Sequence, residues 1–175
     1  MTDVKNYFGK QIVAHLEQMF QSGRFDFSFR LLFGANIIHY AAMTGNLDRV
    51  IELVEHGADL FSVDNNCKTV LHYAAESGNV KLVQWLTSHG LDVKAIDRFK
   101  KSVLFYAAQS GNQMLVQWLV EQGADIYAKG QWDETIMHYT CQSGSLDLVQ
   151  WLSECLTIYL LAKGTSSLRF NLPSY

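Results

Sequence analysis

Residues 69–78 read TVLHYAAESG, and three variants of this stretch occur in the chain at intervals of 33 residues. They are NIIHYAAMTG at 36–45, SVLFYAAQSG at 102–111 and TIMHYTCQSG at 135–144. A second motif, VQWL, begins at residues 83, 116 and 149 with the same spacing. Similarity at a fixed period of this size indicates repeated units that stack on one another.

Each unit predicts two short helices. Every motif begins with a residue type that caps helix N-termini and ends nine residues later with a Gly, which can end a helix in the left-handed conformation. The capping residues are Asn36, Thr69, Ser102 and Thr135. The next segment places apolar residues at helical spacing before a second Gly, as Leu82, Val83 and Leu86 show. Helices this short are marginal alone in water, so the copies must stack.

Two recurring residue types predict how the units pack. The Ala pair in the first three motifs removes side-chain bulk where the first helices approach one another. The Trp in each VQWL motif has the spacing of a residue that fills the space between second helices. These predicted structural residues are Trp85, Trp118 and Trp151.

The combined pattern T-x-L-H-Y-A-A-x-x-G, L-V-x-W-L and G-A-D resembles the ankyrin repeat. The resemblance implies an all-α solenoid of stacked helix-turn-helix units with short β-hairpin fingers. We expect an N-terminal cap and aromatic segment at 1–30, repeats at 31–63, 64–96 and 97–129, a degenerate repeat at 130–155, and a tail or cap at 156–175. It also implies that His39, His72 and His138 link neighbouring loops through hydrogen bonds to backbone.

The chain departs from the family pattern in its fingers. Cys67, Lys100 and Asp133 occupy the position where the family usually has Gly, and Gly34 alone is kept. Phe105 replaces the family His in the third repeat. We therefore expect fingers less regular than those of the average member.

Both ends of the array are atypical. Residues 2–23 resemble a degenerate outer helix, and Phe25, Phe27 and Phe29 alternate with polar residues. Such a segment is either a hairpin that covers the end of the array or an exposed aromatic docking strip. At the other end, Leu156 replaces the expected Gly, so residues 156–175 either fold back over the last repeat or border a longer parent protein.

Composition excludes several function classes. A net charge of −3 gives no global field for nucleic acid, and the nearly apolar run 156–162 is too short to span a bilayer. Cys67, Cys141 and Cys155 match neither a zinc pattern nor a disulfide framework, which favours reduced thiols. We expect no metal, no cofactor and no secretory signal. We expect a monomer that resides in the cytoplasm, or in a host-cell cytosol if the chain is a bacterial effector.

A catalytic reading rests on three residues of the fourth repeat. Glu134, His138 and Cys141 offer an acid, a base and a thiol within two helical turns. The repeat explains them better, because His138 occupies the position of the other repeat histidines and Cys141 that of a packed Ala. We therefore expect no catalytic residues, and the alternative is a noncatalytic regulatory or targeting domain of a larger enzyme.

In ankyrin repeats, partners contact the finger tips and the residues after the Ala pair. The resemblance therefore implies a partner-binding surface made of Phe33, Met43, Asn65, Asn66, Lys68, Glu76, Arg98, Phe99, Lys101, Gln109, Gln131, Trp132, Glu134 and Gln142.

Two features of that surface bear on the partner. Phe33, Phe99 and Trp132 share one finger position, where they are either exposed anchors or rings folded against their own hairpins. The cations at 94, 98, 100 and 101 lie beside the acids at 133 and 134, which makes either a solvated finger or a steering patch for an acidic peptide. We expect a scaffold, inhibitor or effector-type module that binds a protein or peptide with an acidic and an apolar element.

Overall fold

The computed structural model describes residues 10–164, and nine α-helices account for most of them. They are α1 (Lys10–Ser22), α2 (Ile37–Met43), α3 (Leu47–Glu55), α4 (Val70–Ser77), α5 (Val80–Ser88), α6 (Val103–Ser110), α7 (Gln113–Glu121), α8 (Ile136–Ser143) and α9 (Leu146–Gly164). A short 3-10 turn at Leu32–Gly34 precedes α2. Over this part of the chain, none of the helices has the length and apolarity needed to cross a bilayer.

The inner helices α2, α4, α6 and α8 begin at the predicted capping residues. In three of them the cap is reciprocal, because the backbone N–H of the capping residue donates to Nδ1 of the His three positions later. Ser102 lacks this bond because its partner position is Phe105. Gly78, Gly111 and Gly144 then end α4, α6 and α8 with φ near 75°.

The outer helices α3, α5 and α7 are capped by asparagine. Asn46, Asn79 and Asn112 each accept a hydrogen bond from the backbone three residues on. Asn79 Nδ2 also donates to the Gly45 carbonyl at 2.7 Å, and Asn112 Nδ2 to the Gly78 carbonyl at 2.9 Å. The same side chain therefore starts a helix and ties it to the previous repeat.

The repeats stack through their inner helices. Helix α2 packs on α4, α4 on α6 and α6 on α8, while each inner helix also packs on the outer helix of its own repeat. The Ala pairs of the first three repeats are fully buried, which allows this close approach. Their contacts extend into one hydrophobic core from α1 to α9, as expected for an array in which each layer buries the next.

Helix α1 covers the first repeat and is fixed by a charged contact. Both guanidinium nitrogens of Arg49 donate to the Glu17 carboxylate at 2.6 Å, and the Tyr40 hydroxyl donates to it at 2.7 Å. The guanidinium also lies 4.5 Å from the Phe20 ring centroid. This network joins the N-terminal cap to α2 and α3.

The aromatic segment after α1 forms a turn and not the hairpin that one of the two alternatives predicted. Asp26 accepts hydrogen bonds from the backbone of Ser28 and Phe29, which closes the turn. Phe25, Phe27 and Phe29 are all half-buried against the core, while Asp26 and Ser28 are exposed. The alternation of aromatic and polar residues along 25–29 thus predicted the burial pattern correctly, although the segment is not a strand.

The last outer helix does not stop where the others do. Helix α9 runs for 19 residues and passes through positions 156–158, where earlier repeats have Gly, a small or apolar residue and Asp. Without a Gly to end it, the helix continues past the predicted boundary at residue 155. Residues 165–175, where part of the predicted tail or cap falls, lie outside the described residues.

The fingers are more regular than the sequence suggested. Each of three fingers closes with one antiparallel bridge, Val63 to Thr69, Ile96 to Ser102 and Lys129 to Thr135. Cys67, Lys100 and Asp133 take φ values of 58–60°, the left-handed conformation that the family Gly would adopt. The backbone geometry therefore survives the loss of Gly, at a local conformational cost.

Candidate functional site

A buried aspartate organises the tips of the second and third fingers. Asp97 Oδ1 accepts the backbone N–H groups of Phe99 at 2.8 Å and Lys101 at 2.9 Å, and its Oδ2 accepts the Tyr106 hydroxyl at 2.6 Å. Asp64 makes the same set of bonds in the second finger. Burial and the hydrogen bond to Asp97 raise the pKa of Tyr106, which keeps its hydroxyl a donor. The tip backbone is thus held rigid.

The fourth finger reaches the same geometry by another route. Gly130 replaces the aspartate, and the Glu134 side chain folds into the space, where a Cβ at residue 130 would collide with its carboxylate. Glu134 Oε2 accepts the Trp132 backbone N–H at 2.8 Å. The Trp132 amide is therefore hydrogen-bonded to a carboxylate, as the Phe99 amide is in the third finger.

Hydrogen bonds between neighbouring tips place them in one row. The bonds run from Asn65 N–H to the Phe33 carbonyl at 2.7 Å, from Arg98 N–H to Asn66 at 2.8 Å and from Gln131 N–H to Phe99 at 2.9 Å. We call the exposed end of this row, formed by Arg98, Phe99, Lys100, Gln131 and Trp132, the fingertip ridge. Its spacing is set by backbone and does not depend on a ligand.

The ridge carries a stacked aromatic pair. The Phe99 and Trp132 ring centroids lie 5.6 Å apart with 27° between the ring planes. Phe99 is half-buried, whereas Trp132 is 66% exposed. The two rings thus pack on each other across neighbouring fingers, and the Trp132 ring remains largely exposed. Phe33 is also exposed, but Asn66 in the finger between separates it from Phe99.

The charges around this pair are unevenly balanced. Lys101 Nζ lies 3.9 Å from Glu134 and 5.0 Å from the Tyr139 ring centroid, while Lys129 pairs with Asp133 at 3.0 Å. Among the described residues, the exposed Arg98 and Lys100 take part in no ion pair. The ridge therefore keeps two unbalanced positive charges.

Several side chains predicted to bind a partner are instead largely covered by their neighbours. Lys68 and Glu76 form an ion pair at 3.6 Å with side chains only 11% and 7% exposed, and Lys68 Nζ lies 4.1 Å from the Tyr106 ring centroid. Lys101 and Glu134 are similarly covered, and Met43 is buried. Lys68, Lys101 and Glu134 make contacts between repeats, and we leave all five covered residues out of the candidate site.

The other predicted residues are accessible. Asn66, Phe99 and Gln109 are half-buried, and the exposed ones are Phe33, Asn65, Arg98, Gln131, Trp132 and Gln142.

Of the three repeat histidines, His39 is placed as a linker between loops. His39 Nε2 lies 3.2 Å from the Ser62 carbonyl in the next loop. Burial lowers the pKa of both His39 and His72 to about 4, so both rings are neutral near pH 7. His138 belongs to the last repeat and is exposed, but its Nδ1 still accepts the Thr135 N–H at 3.1 Å.

Glu134, His138 and Cys141, the three residues of the catalytic hypothesis, have other environments in the structure. Glu134 is bound to the Trp132 N–H and paired with Lys101, His138 caps α8, and Cys141 is an exposed free thiol. In the described part of the chain, no group of three or more His, Cys, Asp or Glu side chains could hold a metal ion.

The three tryptophans of the VQWL motifs are buried to different extents. Trp151 is buried, whereas Trp85 and Trp118 are half-buried and pack at the edge of the core. Trp85 also stacks on His89 with 3.9 Å between ring centroids. The expected space-filling role therefore holds most fully for Trp151.

Sequence reasoning missed a second exposed apolar strip near the finger bases. Phe61, Val63, Ile96 and Tyr127 are exposed, and exposed and covered residues alternate strictly along 59–65, 92–98 and 125–131. The period of two was present in the sequence, but exposed apolar residues beside the buried Asp64 and Asp97 hid it. Nothing about this strip indicates the kind of partner that would bind there.

Comparison with known families agrees with this architecture. A family model described as ankyrin repeats (3 copies) matches residues 8–97, and a second, described as ankyrin repeats (many copies), matches residues 104–152. The first match includes α1, which the sequence suggested is a degenerate outer helix. A search of curated proteins returned no match. Ankyrin repeats generally mediate protein–protein interactions and are typically noncatalytic. The chain belongs to the ankyrin-repeat family.

Proposed function

We propose that this chain is a noncatalytic module that binds another protein or a peptide through its fingertip ridge and the adjoining concave face. The observation that carries this proposal is the exposed Trp132 ring, stacked on Phe99 at the tip of a rigid finger. Tryptophan is among the residue types that dominate binding energy at interfaces, especially where a large part of the ring becomes covered on binding.

The rigidity of the ridge supports the same function. The Trp132 and Gln131 amides are both hydrogen-bonded, to Glu134 and to the previous finger. A surface that is already ordered loses little conformational entropy on binding, so more of the contact energy appears as affinity. Gln109 and Gln142, on the inner helices beside the ridge, extend the surface with polar groups.

The thiols suggest where such a module works. Cys67, Cys141 and Cys155 are all free, and two of them are exposed. Exposed thiols persist in reducing compartments, so we place the interaction in a cytosol, including that of a host cell for an effector.

Site-specific photo-crosslinking tests the proposal. A benzophenone amino acid replaces Trp132 in one variant and Met114 in the control, because Met114 is as exposed but lies in α7, away from the fingers. We expect a protein cross-linked from position 132 and not from position 114. The same products from both positions, or products from position 114 alone, would show that the ridge is not the binding site.

A further inference from the structure

The aromatic stack on the ridge joins a half-buried ring, Phe99, to an exposed ring, Trp132. Trp132 rests on Phe99, and the next finger would supply a further tip 33 residues later. Within the described residues there is no fifth finger, because α9 continues as a helix through positions 156–164. Within these residues Trp132 stacks on Phe99 alone and is 66% exposed, and the position of a further neighbour, residue 165, lies outside them. A planar group from outside the array could take that place.

The charges select the sign of the partner. Lys101 already lies about 6 Å from both stacked rings, at 5.9 Å from Phe99 and 6.0 Å from Trp132. Arg98 and Lys100 add two unbalanced positive charges at the tip beside Phe99. A cationic side chain over Trp132 would meet this positive field, whereas a carboxylate would be attracted by it.

The geometry also limits how far apart the two elements of the partner lie. A ring stacked on Trp132 at the observed spacing of 5.6 Å would be two spacings, or about 11 Å, from Phe99. An extended chain advances about 3.3 Å per residue. A carboxylate beside Arg98 and Lys100 would therefore be about three residues from the ring.

Resting on the proposed function, we infer that the partner is an acidic segment with an aromatic residue. Its ring stacks on the outer face of Trp132 and continues the Phe99–Trp132 stack. An Asp or Glu about three residues away lies beside Arg98 and Lys100.

The sequence of the chain's own C-terminal residues does not match this description. Residues 165–175 read TSSLRFNLPSY, with Phe170 beside Arg169 and no Asp or Glu. The charge of this segment has the wrong sign for a ridge that is already positive. Charge complementarity thus favours an acidic partner over this segment.

Selection from a random peptide library tests the inference. Phage displaying random 12-residue peptides are selected on the full chain and counter-selected on Trp132→Ala. We expect enriched peptides to contain an aromatic residue with Asp or Glu about three positions away. Basic peptides, peptides without an aromatic residue, or a selection that yields no Trp132-dependent peptide would overturn the inference.

Charge reversal provides a second readout on a selected, synthesised peptide. Arg98→Glu combined with Lys100→Glu should weaken binding at least tenfold, and added NaCl should weaken binding to the native chain. The control Lys81→Glu reverses an exposed charge on α5 and should leave the affinity within twofold. Equal losses in the two variants would contradict the proposed contact with Arg98 and Lys100.

A truncated chain tests the alternative occupant. Fluorescence emission of Trp132, obtained by difference from Trp132→Phe, should be the same with and without residues 165–175. A red shift on truncation would mean that the chain's own segment covers Trp132, and the inference would be wrong. If position 132 cross-links a partner whose bound segment is neither acidic nor aromatic, the proposed function survives and this inference fails.

Discussion

The carboxylate of Glu134 does in the fourth finger what the carboxylate of Asp97 does in the third. Each accepts a tip amide at 2.8 Å, from Trp132 and from Phe99 respectively, although the two residues occupy different positions in their repeats. Gly130 leaves the space that Glu134 fills. In the fourth finger, Glu134 thus compensates for the aspartate that Gly130 replaces. Substitutions at positions 130 and 134 should therefore be energetically coupled.

Glu134→Ala should destabilise the protein by about 1–2 kcal/mol, because it removes the acceptor of the Trp132 amide and the ion partner of Lys101. Adding Gly130→Asp in that background should recover at least half of the loss, since Asp64 and Asp97 serve the other fingers in this way. Chemical unfolding of the two variants and of Gly130→Asp alone measures the coupling. Strictly additive effects would mean that the two routes are independent.

Cys67→Gly should stabilise the protein by about 0.5–1 kcal/mol, because Cys67 has φ of 60°, a conformation that Gly adopts without a steric penalty. Cys141→Gly is the matched control, since it places Gly inside helix α8 and should cost about 0.3 kcal/mol. Urea unfolding under reducing conditions compares them. A loss of stability in both variants would show that the finger is not strained at Cys67.

Glu17→Gln should loosen α1 without unfolding the repeats. The hydrogen bond from Arg49 lowers the pKa of Glu17 below its ordinary value of 4.5. The stabilisation is therefore present above pH 4.5 and is lost as the pH falls through the lowered value. Since the pair is partly exposed, we expect about 1 kcal/mol or less. Hydrogen exchange should show faster exchange in residues 10–22 alone, and uniform exchange rates along the chain would contradict a local role.

His72→Phe should reduce the loss of stability between pH 6.5 and pH 4. Burial lowers the folded-state pKa of His39 and His72 from 6.5 to about 4, so the unfolded chain binds more protons in this interval and stability falls as the pH falls. Replacing one of the two should remove about half of their joint contribution. Phe105, buried at the same position of the third repeat, shows that the site accepts this ring. Unfolding at pH 7.5 and pH 5 gives the difference, and an unchanged pH dependence would contradict the assignment.

Trp118→Ala should lower the free energy of unfolding more than Trp132→Ala does, because Trp118 packs in the array and Trp132 is proposed to contact the partner. Trp118 packs against the core but is half-buried, so its loss should cost about 2–3 kcal/mol, below the range for a fully buried ring. Trp132 loses only an exposed stacking contact, and the cost should be about 1 kcal/mol or less. Equal shifts in the thermal midpoint would show that Trp132 is also a packing residue.

The repeat architecture could be predicted because its signals recur. The caps at Thr69 and Thr135, the fully buried Ala pairs and the terminating Gly residues each appear several times at one spacing, so a weak local preference becomes a strong pattern. The length of α9 could not be predicted with the same rigour, because the replacement of a single Gly by Leu156 decides it.

The candidate site was predicted only in part, because its charged residues pair across repeats. A Lys at position 68 of a finger is expected at the surface. Its ammonium group instead lies over the Tyr106 ring of the next repeat and beside Glu76. The Phe99–Trp132 stack likewise depends on the lateral distance between two fingers. The repeat predicts which fingers are neighbours, but the side-chain contacts between them depend on conformations that a single sequence does not specify.

The most direct test of the account is the dissociation constant of the partner cross-linked from position 132, measured for the native chain, Trp132→Ala and Met114→Ala. Both substitutions remove an exposed apolar side chain, but only Trp132 lies on the fingertip ridge. The account predicts at least a tenfold weaker interaction for Trp132→Ala and an unchanged one for Met114→Ala, with all three proteins folded. Native-like affinity in Trp132→Ala would contradict the claim that this chain binds its partner through the ridge.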